Sequence, residues 1–530
     1  MASKFQSLIL WRIGLAVVLF ALSWYWAFSE SMVKALWPSI VALGLVVLLR
    51  RVLLALVLGG LAGCIILTNG NPIDALAYLL NDLFIPIWSS SWKLGALAFT
   101  LILGGMAALI ERSGGLHAIL AWFMKKKNGH PSDKIQWSAF GIGLICFFDG
   151  LANSMLVGRL MKNLAERSGL SRVKLAYIVD STSSAVSCVA VVSTWIAYQL
   201  AMIREGYDQV GQPVDAYRLF VLSIPYNFYC WFTLLLLVFS IWKVFNPGLM
   251  RRYEREARKS VGANHDFAIE QGSGRPWFAI VPLMLLILSL LIGLYVSGSE
   301  KIFPITFKGL SEAFGQADAA SVLVVSSIIA SVTAFLLFPR TIGSTERLRT
   351  FAQGSSALLV PVMVLIGAWI LGGVMKPLGT AEVISKLLSG DLPVWLIPLT
   401  VFLAGAAISF STGTSWGTMG ILMPLAIPVV FELTAGMPGA MMPAVVAAVF
   451  SGAVFGDHCS PISDTTLVSS ISTGVEATDH VATQMPFALI AATAAIVIGF
   501  VPVGLGLSPW ASLVVGVCVL GLIAHWGRER

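Results

Sequence analysis

Apolar runs of about membrane thickness recur along the whole chain, and four short polar stretches interrupt them. Runs such as "WFTLLLLVFSIW", "FAIVPLMLLILSLLIGLYV", "ASVLVVSSIIASVTAFLLF" and "LIAATAAIVIGFVPVGLGL" approach or reach the roughly 20 residues that a spanning helix needs. The pattern predicts an all-α polytopic membrane protein. The interruptions are "FFDGLANS" (147–154), "DSTSSAVS" (180–187), "STGTS" (411–415) and "GDHCSPISDTT" (456–466). Each lies where hydrocarbon would reject it.

Basic connectors orient the spans. Arg50-Arg51, "KKKNGHPSDK" (125–134), "RLMKNLAERSGLSRVK" (159–174), "RRYEREARKS" (251–260), "RTIGSTERLR" (340–349) and the terminal "RER" belong on the cytoplasmic side. The apolar stretch 134–159 is basic at both flanks, so it enters and leaves on that side as a re-entrant hairpin with "FFDGLANS" near its tip. Segment 175–200 then crosses outward, followed by 218–243 inward, 276–298 outward, 318–339 inward and 354–375 outward. The connector 376–391 falls outside. Residues 392–434 are too long for one span and are read as a second hairpin, opening outward. Crossings at 442–475, 483–506 and 510–526 then leave the C-terminus cytoplasmic.

Order repeats as well as polarity. "ILGG" occurs at 102–105 and 370–373, "FDGLANSMLVG" (148–158) pairs with "FSTGTSWGTMG" (410–420), and "DSTSSAVS" pairs with "DHCSPISD" (457–464). A helix, a polar-tipped hairpin and an Asp-led break thus appear twice with opposite orientation. The expected fold has inverted-topology repeats, each with a re-entrant hairpin and a discontinuous transmembrane helix. The chain divides into N-terminal transmembrane helices (1–92), a first transport repeat (93–245), a cytoplasmic basic loop (246–275), connecting transmembrane helices (276–350), a second transport repeat (351–506), and a C-terminal helix with a basic tail (507–530).

Composition agrees: 57% of residues are hydrophobic and 12% charged, against about 25% charged in soluble chains. The net charge of +7 is spread over connectors, so it sets topology and gives no nucleic-acid partner. Six cysteines are scattered without metal-ligand spacing. The N-terminal apolar run is long and lacks a cleavage signal, so it is read as a retained first helix.

Carboxylates inside a membrane are costly and usually functional. Asp149, Asp180, Asp457 and Asp464 all fall in the polar stretches and are the candidate cation- or proton-binding groups. Na⁺ wants oxygen ligands. Asn153, Ser154, Thr182, Ser183, Ser184, Thr412, Thr414, Ser415, Ser460, Ser463, Thr465 and Thr466 can line such a site, and Pro461 frees backbone carbonyls near it. His458 is a candidate pH relay. Capping accounts equally for Asp149 and Asp180, and interhelical hydrogen bonding for Asn153 and the hairpin hydroxyls. "GTSWG" (413–417) matches a serine-nucleophile pattern, but it lacks the strand–turn–helix context that pattern requires. A transporter, not an enzyme, is expected, with no cofactor beyond transported Na⁺ and H⁺.

"GDHCSPISDTT", joined with "STGTSWGTMGILMP" (411–424), resembles the NhaC-type sodium/proton antiporter family of the ion transporter superfamily. "FFDGLANSMLVG" and "KLAYIVDSTSSAVSCVAVVSTWIAY" look like the corresponding first-half region, and the resemblance covers roughly residues 37 to 505. It implies an inverted-repeat fold and cation- or proton-coupled exchange in a plasma membrane. The chain departs from the family at Asp149-Gly150, where many relatives carry two consecutive acids. The alternative is a Na⁺- or H⁺-coupled transporter or exchanger of a small organic acid or amino acid. Membrane lipid is the expected environment, and a homodimer is left open.

Overall fold

The computed structural model describes residues 2–49, 51–126, 131–260, 274–299, 313, 317–339, 341–380, 383, 393–461 and 463–529. Every regular element among them is helical. Nine of these helices are long and apolar enough to cross a membrane, or up to twelve spans result if each of three bent pairs counts as one. The chain is a multi-pass membrane protein. Much of the 246–275 loop and of the 376–391 connector lies outside the described residues.

Burial separates lipid-facing helices from the core. Trp277–Gly298 is apolar all round, yet it buries only a stripe including Leu283, Leu286, Leu290 and Leu294 and exposes Met284, Leu288 and Ile292. An apolar surface of that extent belongs against hydrocarbon. Met441–Cys459 is the opposite case, enclosed on nearly all sides. It sits at the centre of the molecule.

The two stretches read from the sequence as repeats each contain a helical hairpin followed by two consecutive helices. In the first, α1 (Pro131–Ile145) and α2 (Gly150–Ser168) form a hairpin, followed by α3 (Arg172–Val189) and α4 (Thr194–Gln209), which meet at a 46° bend. After α5 (Phe228–Trp242), the second hairpin is α6 (Ile397–Thr412) and α7 (Ser415–Leu433). It is followed by α8 (Met441–Cys459) and α9 (Asp464–Thr473), and then by α10 (Ala477–Ala494). The two hairpins have arms of 15 and 19 residues, and of 16 and 19.

Two expectations need correction. The first hairpin runs from 131 to 168, well beyond 134–159, because Lys162, Glu166 and Arg167 extend α2 with helix-forming residues. The crossing placed at 175–200 is the longer bent pair 172–209. Its break falls at 190–193, where Ser193 caps α4 by accepting the Trp195 N–H.

Packing between the units is reciprocal. The second half of the first broken helix, α4, lies against α7 of the second hairpin, while α9 lies against α2 of the first. Small residues allow both approaches. A Cβ on Gly206 of α4 would come within 2.7 Å of Ile427 on α7, and Gly158 of α2 is covered by Ser472 of α9. Close helix contact through small residues is the usual solution where no hydrophobic force drives helices together.

Candidate functional site

Helix ends meet at the centre of the bundle because the chain cannot stay helical there. Gly413 adopts φ 68° and closes α6, and its N–H reaches the Ser409 carbonyl. Glycine takes that left-handed conformation without a Cβ clash. Thr414 then caps α7 by accepting the Gly417 N–H. On the other side Pro461 lies in the break between α8 and α9.

These ends enclose a cavity of about 80 Å³. Asp149 and Leu151 reach it from the first hairpin, Thr194 and Trp195 from the start of α4, and Thr414, Ser415 and Trp416 from the second hairpin. Asp457 enters from the last turn of α8, and Asp464 and Thr465 from the first turn of α9. Leu358, Val360, Pro361 and Val364, at the start of helix Leu359–Met375, form an apolar wall. Three of the four candidate acids therefore share one chamber. The N-termini of α2, α4, α7 and α9 converge on it.

Asp457 is held by hydroxyls. Ser463 Oγ donates to Oδ1 at 2.5 Å, Thr465 Oγ1 donates to Oδ2 at 3.2 Å, and Thr466 Oγ1 donates to the Asp457 backbone carbonyl at 2.9 Å. Ser463 occupies the N-cap position of α9, where serine ordinarily accepts a backbone N–H. Here it makes no side-chain cap and points to the carboxylate instead. Asp464 is exposed to the chamber, and its carboxylate takes no hydrogen-bond or ion-pair partner among the described residues. Asp457 and Asp464 thus sit on opposite helix ends, rather than within one unwound stretch; only the few residues from Ser460 to Ser463 separate the helices.

Asp180 is elsewhere. Expected in a polar break, it lies in the middle of α3, because "DSTSS" continues as helix. Thr182 Oγ1 turns back to the carbonyls of Ile178 and Val179, and Ser183 Oγ to that of Asp180, a local bonding that lets hydroxyl residues stay helical. The Asp180 carboxylate has no exposed surface. Gln484 Nε2 donates to Oδ2 at 2.7 Å, Ser469 Oγ donates to Oδ1 at 3.3 Å, and Thr466 Oγ1 and His480 Nε2 each lie 3.3 Å from Oδ2. Ser469, His480 and Gln484 were not among the residues singled out from the sequence. The signal was present: His480 and Gln484 are one turn apart on the apolar helix α10, which puts both on one face.

His458 joins the two centres. Its Nε2 lies 2.6 Å from Ser184 Oγ, its Nδ1 lies 2.9 Å from Tyr229 Oη, and its carbonyl accepts Gln484 Nε2 at 3.0 Å. Both ring nitrogens face hydroxyls, which accept or donate as the tautomer requires. Ser415 donates to the Ala453 carbonyl at 3.1 Å, so it and His458 have different partners. Asn153 acts as a clamp, its Nδ2 donating to the carbonyls of Gly143 and Thr182 and tying α2 to α1 and α3. Ser154 Oγ lies 3.2 Å from Ser469 Oγ, Thr412 makes only a 3.5 Å contact with the Ser409 carbonyl, and buried Ser460 Oγ has no partner among the described residues.

The donor set is carboxylate, hydroxyl and carbonyl oxygen, which suits a hard cation such as Na⁺. Among the described residues no group of three or more His, Cys, Asp or Glu side chains is arranged to hold a metal ion.

Comparison with known proteins places the chain. A protein of Haemophilus influenzae named only as uncharacterized is 30% identical over 515 residues, which is 93% of this chain and 95% of that protein. The malate-2H⁺/Na⁺-lactate antiporter of Bacillus subtilis is 36% identical over 147 residues, 27% of this chain and 29% of that protein. In fold, the chain is similar to the YdaH transporter of Alcanivorax borkumensis, whose crystal structure was described as revealing an unusual topology. The TM-score is 0.59 at 15% identity, covering 82% of this chain and 90% of that one. A model of the Na⁺/H⁺ antiporter family matches residues 186–505, a span that takes in α5 to α10 with Asp457 and Asp464. The chain belongs to the Na⁺/H⁺ antiporter family.

Proposed function

We propose that this protein exchanges Na⁺ for H⁺ across a plasma membrane, with Asp149, Asp457 and Asp464 as the carboxylates that bind them in turn. The observation that carries this reading is their convergence, from three different helix ends, on one chamber of about 80 Å³. A chamber of this size has room for a small cation together with water that completes its coordination. Three acids lining one chamber carry more negative charge than one cation balances, and protons neutralise it when the ion leaves. Loading Na⁺ and loading H⁺ then exclude each other, which couples the two fluxes.

Alternating access needs the chamber to open to each side in turn. The reciprocal packing of α4 on α7 and α9 on α2 supports two units of inverted topology around a shared centre. With the basic connectors inside, the C-terminus is cytoplasmic.

The test is proton release from proteoliposomes on addition of Na⁺, Li⁺ or K⁺, with no organic solute present. Na⁺-dependent release by the wild type and its loss in Asp457→Asn, with both proteins monodisperse in detergent, are the expected results. Absence of cation-dependent release by the wild type would refute the reading.

A further inference from the structure

The chamber of Asp149 lies at one end of α2, and a larger cavity of about 680 Å³ lies further along the same helix. Leu156, Arg159 and Leu160 of α2 form one wall of it, the last turn of helix Ser91–Arg112 a second, and Thr350 and Gln353 of helix Ser344–Ala357 a third. Asp149, directly before α2, and Leu156 are two turns apart and so share a face, separated by about 10 Å of rise. Exposed Arg112 and Arg159 stand at the rim, and Thr350 follows the basic connector 340–349, which sets the mouth on the cytoplasmic side.

The charged groups here are not equivalent. Arg112 is committed, paired with Glu346 at 2.6 Å and donating to Thr350 Oγ1 at 3.2 Å. His117 is exposed at the edge. Glu111 is half-buried, and its carboxylate takes no hydrogen-bond or ion-pair partner among the described residues. The charges of Arg159 and Asp149 both act on it. Of the other long helices packed on Ser91–Arg112, Trp277–Gly298, Ala319–Leu337 and Leu359–Met375 carry no charged residue, and α4 brings its own to the far end, where Arg204 lies over the Trp92 ring. A carboxylate with no protein partner is tolerated only where water reaches it. Acid-lined clefts concentrate cations, but Arg159 offsets Glu111, so this cavity does not gather Na⁺. A proton needs only water and a group that titrates.

We propose that Glu111 relays protons between the cytoplasm and Asp149, with this cavity as the water-filled way to it. The proposal rests on the reading of Asp149 as one of the carboxylates that bind Na⁺ and H⁺ in turn, and adds the route its proton takes. Protonated Asp149 gives its proton through water to the Glu111 carboxylate, and the carboxylic acid so formed gives it to cytoplasmic water. Uptake runs the same steps backwards, and no other bond changes.

Everted membrane vesicles, whose cytoplasmic face is outward, test this with a pH-sensitive dye and Na⁺ pulses over a range of outside pH. Glu111→Gln should slow proton movement about tenfold or more and alter its dependence on outside pH, while the Na⁺ concentration for half-maximal rate stays near that of wild type. Glu111→Asp should restore most of the rate and the pH profile. Gln353→Cys gives a readout that leaves Glu111 intact: a membrane-impermeant cationic thiol reagent should block exchange from the cytoplasmic face and not from the other, with wild type treated alike as the control for native cysteines. Wild-type exchange in Glu111→Gln, a change in its Na⁺ dependence with an unaltered pH profile, loss in Glu111→Asp equal to that in Glu111→Gln, or labelled Gln353→Cys that exchanges freely would each overturn the proposal. Wild-type vesicles without Na⁺-dependent proton movement would instead overturn the antiport reading, so the two failures are told apart.

Discussion

His480 Nε2 stands 3.3 Å from Asp180 Oδ2, and neither residue exposes any surface. The pair ties α3 to α10, and Gln484, one turn further along α10, donates to the same carboxylate oxygen at 2.7 Å. A carboxylate deprived of water is tolerated only when its lone pairs are met, and here Thr466, Ser469, Gln484 and His480 surround it. Thr466 also bonds the Asp457 carbonyl, so one hydroxyl touches both centres.

Asp180→Asn is therefore expected to be damaging although it is nearly isosteric. An amide places a donor where one acceptor stood, facing either Ser469 at Oδ1 or Gln484 at Oδ2, and removes the charge that these hydrogen bonds serve. Loss of at least one buried hydrogen bond costs about 1–3 kcal/mol. A lower melting temperature in detergent and exchange reduced at least tenfold are the expected readouts. A variant with wild-type stability and flux would mean that the pair is dispensable.

Gln484 makes a second prediction, because a single amide serves two acceptors. Its Nε2 reaches Asp180 Oδ2 and the His458 carbonyl at 2.7 and 3.0 Å. Gln484→Glu replaces the donor with a charge next to Asp180, whereas Gln484→Ala only removes it. Thermal melts should therefore rank wild type above Ala and Ala above Glu; the reverse order of the two variants would contradict the assigned hydrogen bonds.

At the proposed ion chamber, Thr465 and Ser463 hold the two oxygens of Asp457. Thr465→Val keeps the shape and removes the hydroxyl. Since a hydrogen bond to a charged group contributes about 1.5–3 kcal/mol, the Na⁺ concentration for half-maximal exchange should rise roughly tenfold or more, with little change in the amount of folded protein. An unchanged Na⁺ dependence would remove Thr465 from the site.

Much of the architecture was legible because hydropathy and basic connectors report directly on the bilayer. Both hairpins, the break at Pro461 and most spans follow from where apolar runs stop and where Lys and Arg cluster. The candidate chamber was half legible. Asp149, Asp457 and Asp464, singled out as acids in polar stretches, do line one cavity. Asp180 was expected in a break, because a run of hydroxyl residues reads as one, but each of Thr182 and Ser183 satisfied itself on its own helix. His480 and Gln484 were missed since polar residues in the first turns of α10 look like a helix entering from water. Only the packing of α10 against α3 turns them inward.

The entry of α3 yields the last prediction. Lys174 is almost completely buried, and its Nζ donates to Ser240 Oγ at 3.1 Å and Asn246 Oδ1 at 3.0 Å while lying 5.3 and 5.0 Å from the rings of Tyr177 and Phe487. Beside it Glu254, in the basic helix Met250–Ser260, accepts from the Ser171 N–H at 2.9 Å and from Ser171 Oγ at 2.5 Å. These contacts hold the 243–260 segment to the start of the helix that carries Asp180. Lys174→Met preserves most of the volume but strands two buried acceptors, each costing about 1–3 kcal/mol when unmet. Ser171→Ala removes a cap and one bond to Glu254, yet leaves the Ser171 N–H bonded to it. Melting monitored by size-exclusion chromatography should show the larger loss for Lys174→Met, and protease cleavage after the arginines of 251–258 should become faster in both. If Lys174→Met melts like wild type and its basic helix stays protected, the buried lysine does not anchor that helix.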